Sequence, residues 1–344
     1  GWVENDPNEI MDSVYSTVEE LFSEFEITSE NIVSIGLTNQ RETTLLWDKT
    51  NGAPAYNAIS WQCRRSTDIC ESLIEREYTD FVRKVTGLTI DPYFSASKIQ
   101  WVLENVPGAR SSAQLGNLAF GTIDSWIVWN LTNGRSHVIE ISNASRTMLF
   151  DINKVEWSDD LLDIFEIPRS ILPEVVPSSG RLTTVGGNFF SGRAIPITGM
   201  CGDQQSSLFG QCCFDPGMIK ITYGTGAFLL VNIGETPLIV HDGILTTIAW
   251  QLEGEINYAL EGSVFSAGAT VQWIRDQIGL IKESSDIERL ASDVNNNGGV
   301  YLVPAFNGLG APHWDPQARA SIQGLTSGSN KGHIARAALE SIAY

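Results

Sequence analysis

The sequence is short of cysteine, short of basic side chains and without any long apolar run, and each shortage argues against a class of protein. The five cysteines, Cys63, Cys70, Cys201, Cys212 and Cys213, are odd in number and show no paired metal-ligand spacing. That pattern argues against a disulfide framework or a zinc site and for a reducing compartment. Twenty-two Lys and Arg stand against 41 Asp and Glu, a net charge of −19, which repels nucleic acid and anionic membrane surfaces. No apolar stretch approaches the roughly 20 residues of a membrane-spanning helix, and the N-terminus has no basic and apolar targeting segment. A soluble, cytoplasmic protein is expected, with no nucleic-acid partner and no membrane insertion. Repeats and low-complexity tracts are absent too, apart from the local loop Asn295 to Gly299. The triplets at Asn130 and Asn143 match the glycosylation pattern but arise often by chance.

What is present is size and alternation. A chain of 344 residues with 42% hydrophobic content exceeds the length at which one core keeps growing, so two domains with a ligand site in the cleft between them are expected. Asp6, Pro7 and Glu9 form a helix start, followed by the apolar positions Ile10, Val14, Val18, Leu21 and Phe22. Ile32 to Leu37 reads as a buried strand and Thr43 to Trp47 as another. Helices are predicted at Asp68 to Arg76, Ser97 to Asn105, Asp159 to Phe165, Ala267 to Ile278 and Asp286 to Val294. Interleaved strands and helices argue for an α/β architecture. The break Phe214-Asp215-Pro216-Gly217 places the boundary near residue 211, giving domains 1–210 and 211–344. Gly1 is not an initiator Met, and Tyr344 stops inside the helical pattern of His333, Ile334, Ala337, Leu339, Ile342 and Ala343. Both ends are expected to be cut from a longer protein.

Three segments carry chemistry. The polar run Asn39-Gln40-Arg41-Glu42 lies between two predicted core strands, where polar side chains border a pocket. The strand Ala194 to Thr198 runs through Gly199 into Gly202-Asp203-Gln204-Gln205 and a short helix ending near Gly210, so Asp203 occupies a strand-to-helix corner where α/β proteins place ligands. Ile221-Thr222-Tyr223 and Ala227-Phe228-Leu229-Leu230 flank Gly224-Thr225-Gly226, a hairpin whose glycines supply positive φ and let backbone amides and the Thr225 hydroxyl approach a phosphate. A lone Gly-Thr-Gly also serves simply to close a tight turn. In so acidic a chain a nucleotide must be held locally, by cations, backbone amides and a divalent metal.

Taken together, Asn39-Gln40-Arg41-Glu42-Thr43, Gly202-Asp203-Gln204-Gln205 and Thr222-Tyr223-Gly224-Thr225-Gly226 with Phe228 resemble the glycerol-phosphorylating members of the FGGY carbohydrate kinase family. Trp61-Gln62-Cys63-Arg64-Arg65, Asp91-Pro92-Tyr93-Phe94-Ser95, Asn143 to Met148 and Gly308 to Pro312 leading to Trp314-Asp315-Pro316 match in the right order, from Gly1 to Tyr344. The resemblance implies two actin-like or hexokinase-like (ribonuclease H-like) domains, each a mixed sheet flanked by helices, closing over ATP and a polyol. The implied reaction moves the ATP γ-phosphate to a terminal hydroxyl of glycerol, with Mg²⁺ as third party. Arg41, Glu42 and Tyr93 would hold glycerol hydroxyls, Trp61 and Phe228 would pack on its carbons, and Asp203, beside Gln204, would be the general base. Gly224, Thr225, Gly268 and Gln272 would face the nucleotide, Gly268 at a helix start whose free amides favour anions. Residues 1–210 would then be the polyol-binding domain, truncated at its start, and 211–344 the nucleotide-binding domain, truncated at its end. The family's first phosphate hairpin and its glycine-rich adenine region are not in this sequence, so an intact polyol site with weak turnover is expected, and a homo-oligomer for the full-length protein. A kinase of another polyol or ketopentose, or a non-catalytic binding module, remain the alternatives.

Overall fold

The structure, a computed structural model, describes residues 1–186, 188–190 and 192–344. It divides into two compact units: residues 1–218 with 231–240 and 245–260, and residues 219–230 with 241–244 and 261–344. Among the described residues no helix is long and apolar enough to cross a membrane, and the five cysteines are free thiols.

In the first unit, the helix Pro7–Glu24 starts as its sequence dictates. The Asp6 carboxylate accepts the Asn8 amide hydrogen and Pro7 takes the first helical position, where its missing N–H costs nothing. Ile10, Val14, Val18 and Phe22 pack on a core that contains Trp47 and Trp126, whose rings meet edge to face at 5.3 Å. Leu21, one helical step away from Phe22, stays 43% exposed because 100° per residue turns it off that stripe.

The sheet that positions the site has three strands. Ile195–Gly202 pairs antiparallel with Ser179–Val185 and parallel with Ile35–Asn39. In the parallel pair Gly202 is opposite Asn39 and Cys201 opposite Thr38, so both strands end at the same place, and the residues that follow, Gln40 to Glu42 and Asp203, emerge side by side. The sequence places the first of these strands at Ile32 to Leu37 and buried. It is instead an edge strand, shifted to Ile35–Asn39, with Gly36 and Thr38 exposed, and Val33 ahead of it is 82% exposed. Apolar residue types are compatible with an edge as well as a centre, and only the pairing decides.

Around this sheet, Leu45–Asp48 pairs with Leu118–Gly121, both almost wholly buried. The predicted helices are found at Thr67–Glu75, Ser95–Asn105 and Asp159–Ile164. In the second unit the hairpin strands are Ile219–Tyr223 and the start of Ala227–Gly234. The helices Gly268–Asp276, Asp286–Ser292 and Lys331–Ala343 enclose a small core of Ile274, Ile287, Val300, Ala335 and Ala338.

Candidate active site

Glu42 adopts φ of +58°, a left-handed conformation rare for a residue with a Cβ. The Thr43 amide donates to the Arg41 carbonyl at 2.6 Å across it, a three-residue turn. The Glu42 carbonyl is held by the Thr44 hydroxyl at 2.9 Å and the Ser95 hydroxyl at 3.4 Å. Strain of this kind costs on the order of 1 kcal/mol or more and persists where surroundings over-determine it. Its effect is to bring the Arg41 and Glu42 side chains to neighbouring positions immediately past the end of the Ile35–Asn39 strand.

Both side chains are buried, at 1% and 2% exposure, so they are not a solvated ion pair. Arg41 Nη1 donates to Gln205 Oε1 at 3.1 Å and Nη2 to the Tyr93 hydroxyl at 3.3 Å. Its Nε lies 3.6 Å from both Glu42 Oε1 and Asp203 Oδ1. Glu42 Oε1 also accepts from Arg146 Nε at 2.6 Å, and the Arg146 guanidinium lies 5.5 Å from the Tyr93 ring centroid and 5.2 Å from that of Phe94. Charges taken out of water need such close partners, because their desolvation otherwise dominates.

Tyr93 is fixed from behind. Lys98, fully buried, donates its three protons to the carbonyls of Pro92, Tyr93 and Phe94 at 2.9, 2.6 and 2.9 Å. Burial pushes its ammonium down to about 7, and the Glu42 carboxylate opposes that fall. The Tyr93 amide donates to Asp91 Oδ1 at 2.8 Å, and Arg64 Nη1 reaches the same oxygen at 2.6 Å. Trp61 meets the Tyr93 ring edge on at 5.7 Å, and its amide donates to the Thr43 hydroxyl at 3.3 Å.

Asp203 opens the helix Asp203–Gly210. Its Oδ1 accepts the Gln204 amide at 2.8 Å and its Oδ2 the Gln204 side-chain amide at 3.1 Å, so both oxygens are oriented. Its side chain is 42% exposed, in contrast to the buried groups behind it. The structure therefore gathers Arg41, Glu42, Tyr93, Trp61, Asp203 and Gln204 into one neighbourhood of the first unit, a carboxylate open to solvent backed by a sealed layer of charge and phenol. A cavity of about 450 Å³ between Gly36, Ser178, Met200 and Trp250 includes none of these expected residues.

Gly224, Thr225, Gly268, Gln272 and Phe228 belong to the second unit. The hairpin turn forms as expected, with the Gly224 amide donating to the Gly226 carbonyl at 2.8 Å, but neither glycine of the tip has positive φ among the described residues. Glycine is required there for space. A Cβ on Gly226 would stand 2.6 Å from the Val264 carbonyl oxygen, and one on Gly268 2.6 Å from that of Gly224. The start of the Gly268–Asp276 helix is likewise not a set of free amides. Ala267 and Ala269 donate to the Thr225 carbonyl at 2.8 and 3.1 Å, and Gly268 to the Gly224 carbonyl at 2.9 Å, so the hairpin caps the helix. Thr225 is exposed at the tip, Gln272 is exposed one helical turn beyond Gly268, and Phe228 is buried. Among the described residues no three His, Cys, Asp or Glu side chains gather as a metal cage.

Reading the sequence missed Arg146, Lys98, Gln205 and Glu140. Arg146 lies inside the Asn143-to-Met148 motif and is fully buried, but the partner that explains its burial, Glu42, is remote in sequence. Lys98 lies in the predicted helix Ser97 to Asn105, and its burial comes from the carbonyls of Pro92, Tyr93 and Phe94 that it meets there. Glu140 sits fully buried at the end of the short strand Val138–Glu140, and nothing local announces that.

Comparison with known proteins identifies the family of the chain. The family model for the FGGY family of carbohydrate kinases, N-terminal domain, matches residues 1–210, and that for the C-terminal domain matches residues 219–344. Similar curated relatives include a glycerol kinase of Carboxydothermus hydrogenoformans, 54% identical over 100% of this chain and 69% of the relative. Another, from Shewanella pealeana, is 56% identical over 100% of this chain and 70% of its own length. Among solved structures, Plasmodium falciparum glycerol kinase with ADP has a TM-score of 0.88 at 39% identity, over 99% of this chain and 68% of that one. A xylulose kinase of Lactobacillus acidophilus has a TM-score of 0.86 at 22% identity, over 99% and 68% respectively, a likeness of fold alone.

Proposed function

The chain belongs to the FGGY family of carbohydrate kinases, and from that premise we propose that it phosphorylates a terminal hydroxyl of glycerol with the γ-phosphate of ATP. The observation that carries the reading is the pairing of a buried Arg41–Glu42–Tyr93 layer with a solvent-open Asp203. Each hydroxyl of a small polyol donates once and accepts twice. A guanidinium supplies only donors and a carboxylate only acceptors, so side by side they satisfy a hydroxyl that has left water, and neither alone does. Such a layer discriminates strongly against a substrate lacking the matched hydroxyl.

Asp203 then takes the proton of the attacking hydroxyl and holds its oxygen toward the phosphoryl donor, as an aspartate does in protein kinases. Trp61 offers apolar surface to the carbon atoms. On the donor side, Thr225 at the exposed hairpin tip offers its hydroxyl and Gln272 its side-chain amide to the nucleotide, while Gly224 and Gly268, whose own amides are bonded within the hairpin and helix, allow close approach. Mg²⁺ would enter with the nucleotide and not through a protein cage, since among the described residues no three His, Cys, Asp or Glu side chains gather to hold one. Glu42 is buried and held by Arg146, whereas the Asp203 side chain is 42% exposed, so Asp203 would be the expected site carboxylate able to face a hydrated ion. When bound, the ion neutralises charge on the phosphoryl group.

The test is glycerol-dependent release of ADP, run beside a panel of xylulose, ribulose, gluconate and erythritol. Turnover of glycerol at a kcat/KM at least about tenfold above every other acceptor supports the assignment. Equal or better use of a ketopentose moves it to another branch of the family.

A further inference from the structure

Beneath the two strand ends that carry the site lies a buried carboxylate that the reaction does not consume. Glu140 Oε2 accepts from the Ser142 hydroxyl at 2.5 Å, from the Asn143 amide at 3.2 Å and from Asn143 Nδ2 at 3.3 Å. Its Oε1 accepts from the Ser178 hydroxyl at 2.5 Å. Two of these partners lead directly to the strand ends. Ser142 Oγ accepts the amide of Gly202, the residue before Asp203, at 3.0 Å. Asn143 and Asn39 exchange side-chain amide bonds at 3.0 and 3.1 Å, and Asn39 ends the strand that leads through Gln40 to Arg41 and Glu42.

Proton counting makes the carboxylate hard to replace. A serine hydroxyl has one proton. Ser142 uses its oxygen for the Gly202 amide, and Ser178 uses its own for the Gln251 amide at 3.0 Å, so both hydroxyl protons point at Glu140. Only an acceptor at each of its two oxygens satisfies both. A glutamine there presents an NH₂ group to one of the serines, which must rotate and release either its carboxyl partner or the strand-end amide. The titratable groups facing Glu140 from the packed elements are Asp124, whose Oδ2 accepts the Glu140 amide at 3.0 Å, and Cys201 on the Gly202 strand.

We propose that Glu140 is a positioning residue that sets, through Ser142, the direction in which Asp203 leaves its strand and, through Asn143, the place of the Arg41–Glu42 turn. This rests on the reading of Asp203 as general base. Displacement of a catalytic group by as little as 1 Å can cost about a hundredfold, so loss of one strap is expected to lower kcat well before it affects the fold.

The experiment compares Ser142→Ala, Ser178→Ala, Glu140→Gln and Asp203→Asn in the full chain, with kcat, both KM values and thermal melting for each. Ser142 and Ser178 remove the same kind of bond from the same carboxylate, but only Ser142 touches the Gly202 amide. Ser142→Ala is expected to lower kcat about tenfold or more with the ATP KM within about twofold, and Ser178→Ala to have less than a third of that effect. Glu140→Gln is expected to lower kcat at least as far and to raise the glycerol KM, and to add little on the Asp203→Asn background. Equal losses from the two serine variants, or full additivity with Asp203→Asn, overturn the proposal and leave Glu140 a packing group. Should Glu140→Gln not fold, the two serine variants decide. If Asp203→Asn itself retains wild-type kcat, the general-base reading fails instead, and the two failures are thereby distinct.

Discussion

The two units meet different chemical demands in different ways. In the first, the proposed acceptor site is made from side chains: Arg41, Glu42, Tyr93 and Arg146 are all nearly sealed from water and bonded to one another. In the second, the proposed donor site is an exposed Gly224-Thr225 tip whose carbonyls cap the first turn of a helix. A small neutral polyol has no charge to steer by, so it can be chosen only through matched hydrogen bonds in a dry place. A polyphosphate brings its own charge and metal, and an exposed tip that lets it approach closely suffices for it. The contrast predicts that damage to the two regions separates cleanly into acceptor and donor defects.

The largest expected effect lies at the open carboxylate. Asp203→Asn should lower kcat by roughly 10²–10⁴, with the glycerol KM changed less than about threefold, since the amide keeps the shape and loses the base. A drop confined to the glycerol KM would make Asp203 a binding group and erase its distinction from Arg41.

Next comes the sealed layer. Glu42→Gln removes the anion that Arg146 and Arg41 share, and breaking a buried pair costs about 3–5 kcal/mol. The glycerol KM should rise at least about tenfold and the melting temperature should fall, with the ATP KM unmoved. In the second unit, Gly268→Ala drives a Cβ to 2.6 Å from the Gly224 carbonyl oxygen, forcing hairpin and helix apart. The ATP KM should rise several-fold, with the glycerol KM held within about twofold. A comparable change in both constants for either variant would break the division of labour.

These variants also show what the sequence could and could not disclose. Asp6-Pro7 announces a helix because capping is local, and the run Asn39 to Glu42 announces a site because polar residues interrupt two apolar strands. Glu140 and Arg146 are equally buried, yet their partners lie far along the chain: Arg146 meets Glu42 across 104 positions, and Ser178 meets Glu140 across 38. Buried charge is defined by its partners, and local pattern cannot supply them. The glycine hairpin was legible as a turn, but its reason was not. Gly226 and Gly268 are small because other backbone passes within 3 Å of where a Cβ would be, a property of packing and not of φ. The edge position of Ile35–Asn39 was hidden for the same cause, since pairing is tertiary.

The smallest effects expected come from pH, and they too fall on the first unit alone. Burial pushes the Glu140 carboxyl from 4.5 up to about 7, with the Ser142 and Ser178 hydrogen bonds opposing the rise. Between those values the folded protein binds a proton that the unfolded chain has lost, so this residue's contribution to stability falls as pH rises from about 4.5 to 7 and is constant above. Lys98 is displaced the other way, from 10.5 down to about 7 by burial. From about 7 to 10.5 the unfolded chain holds the proton more tightly, so its contribution rises with pH in that range. The difference in unfolding free energy between wild type and Glu140→Gln should therefore change by on the order of 2–3 kcal/mol between pH 4.5 and 7 and be level from 7 to 9. The difference for Lys98→Met should be level below 7 and change in the opposite direction by on the order of 2 kcal/mol between pH 7 and 9. Parallel curves for all three proteins across the whole range would mean that these two groups ionise as freely folded as unfolded, and that the first unit's interior is wetter than its geometry requires.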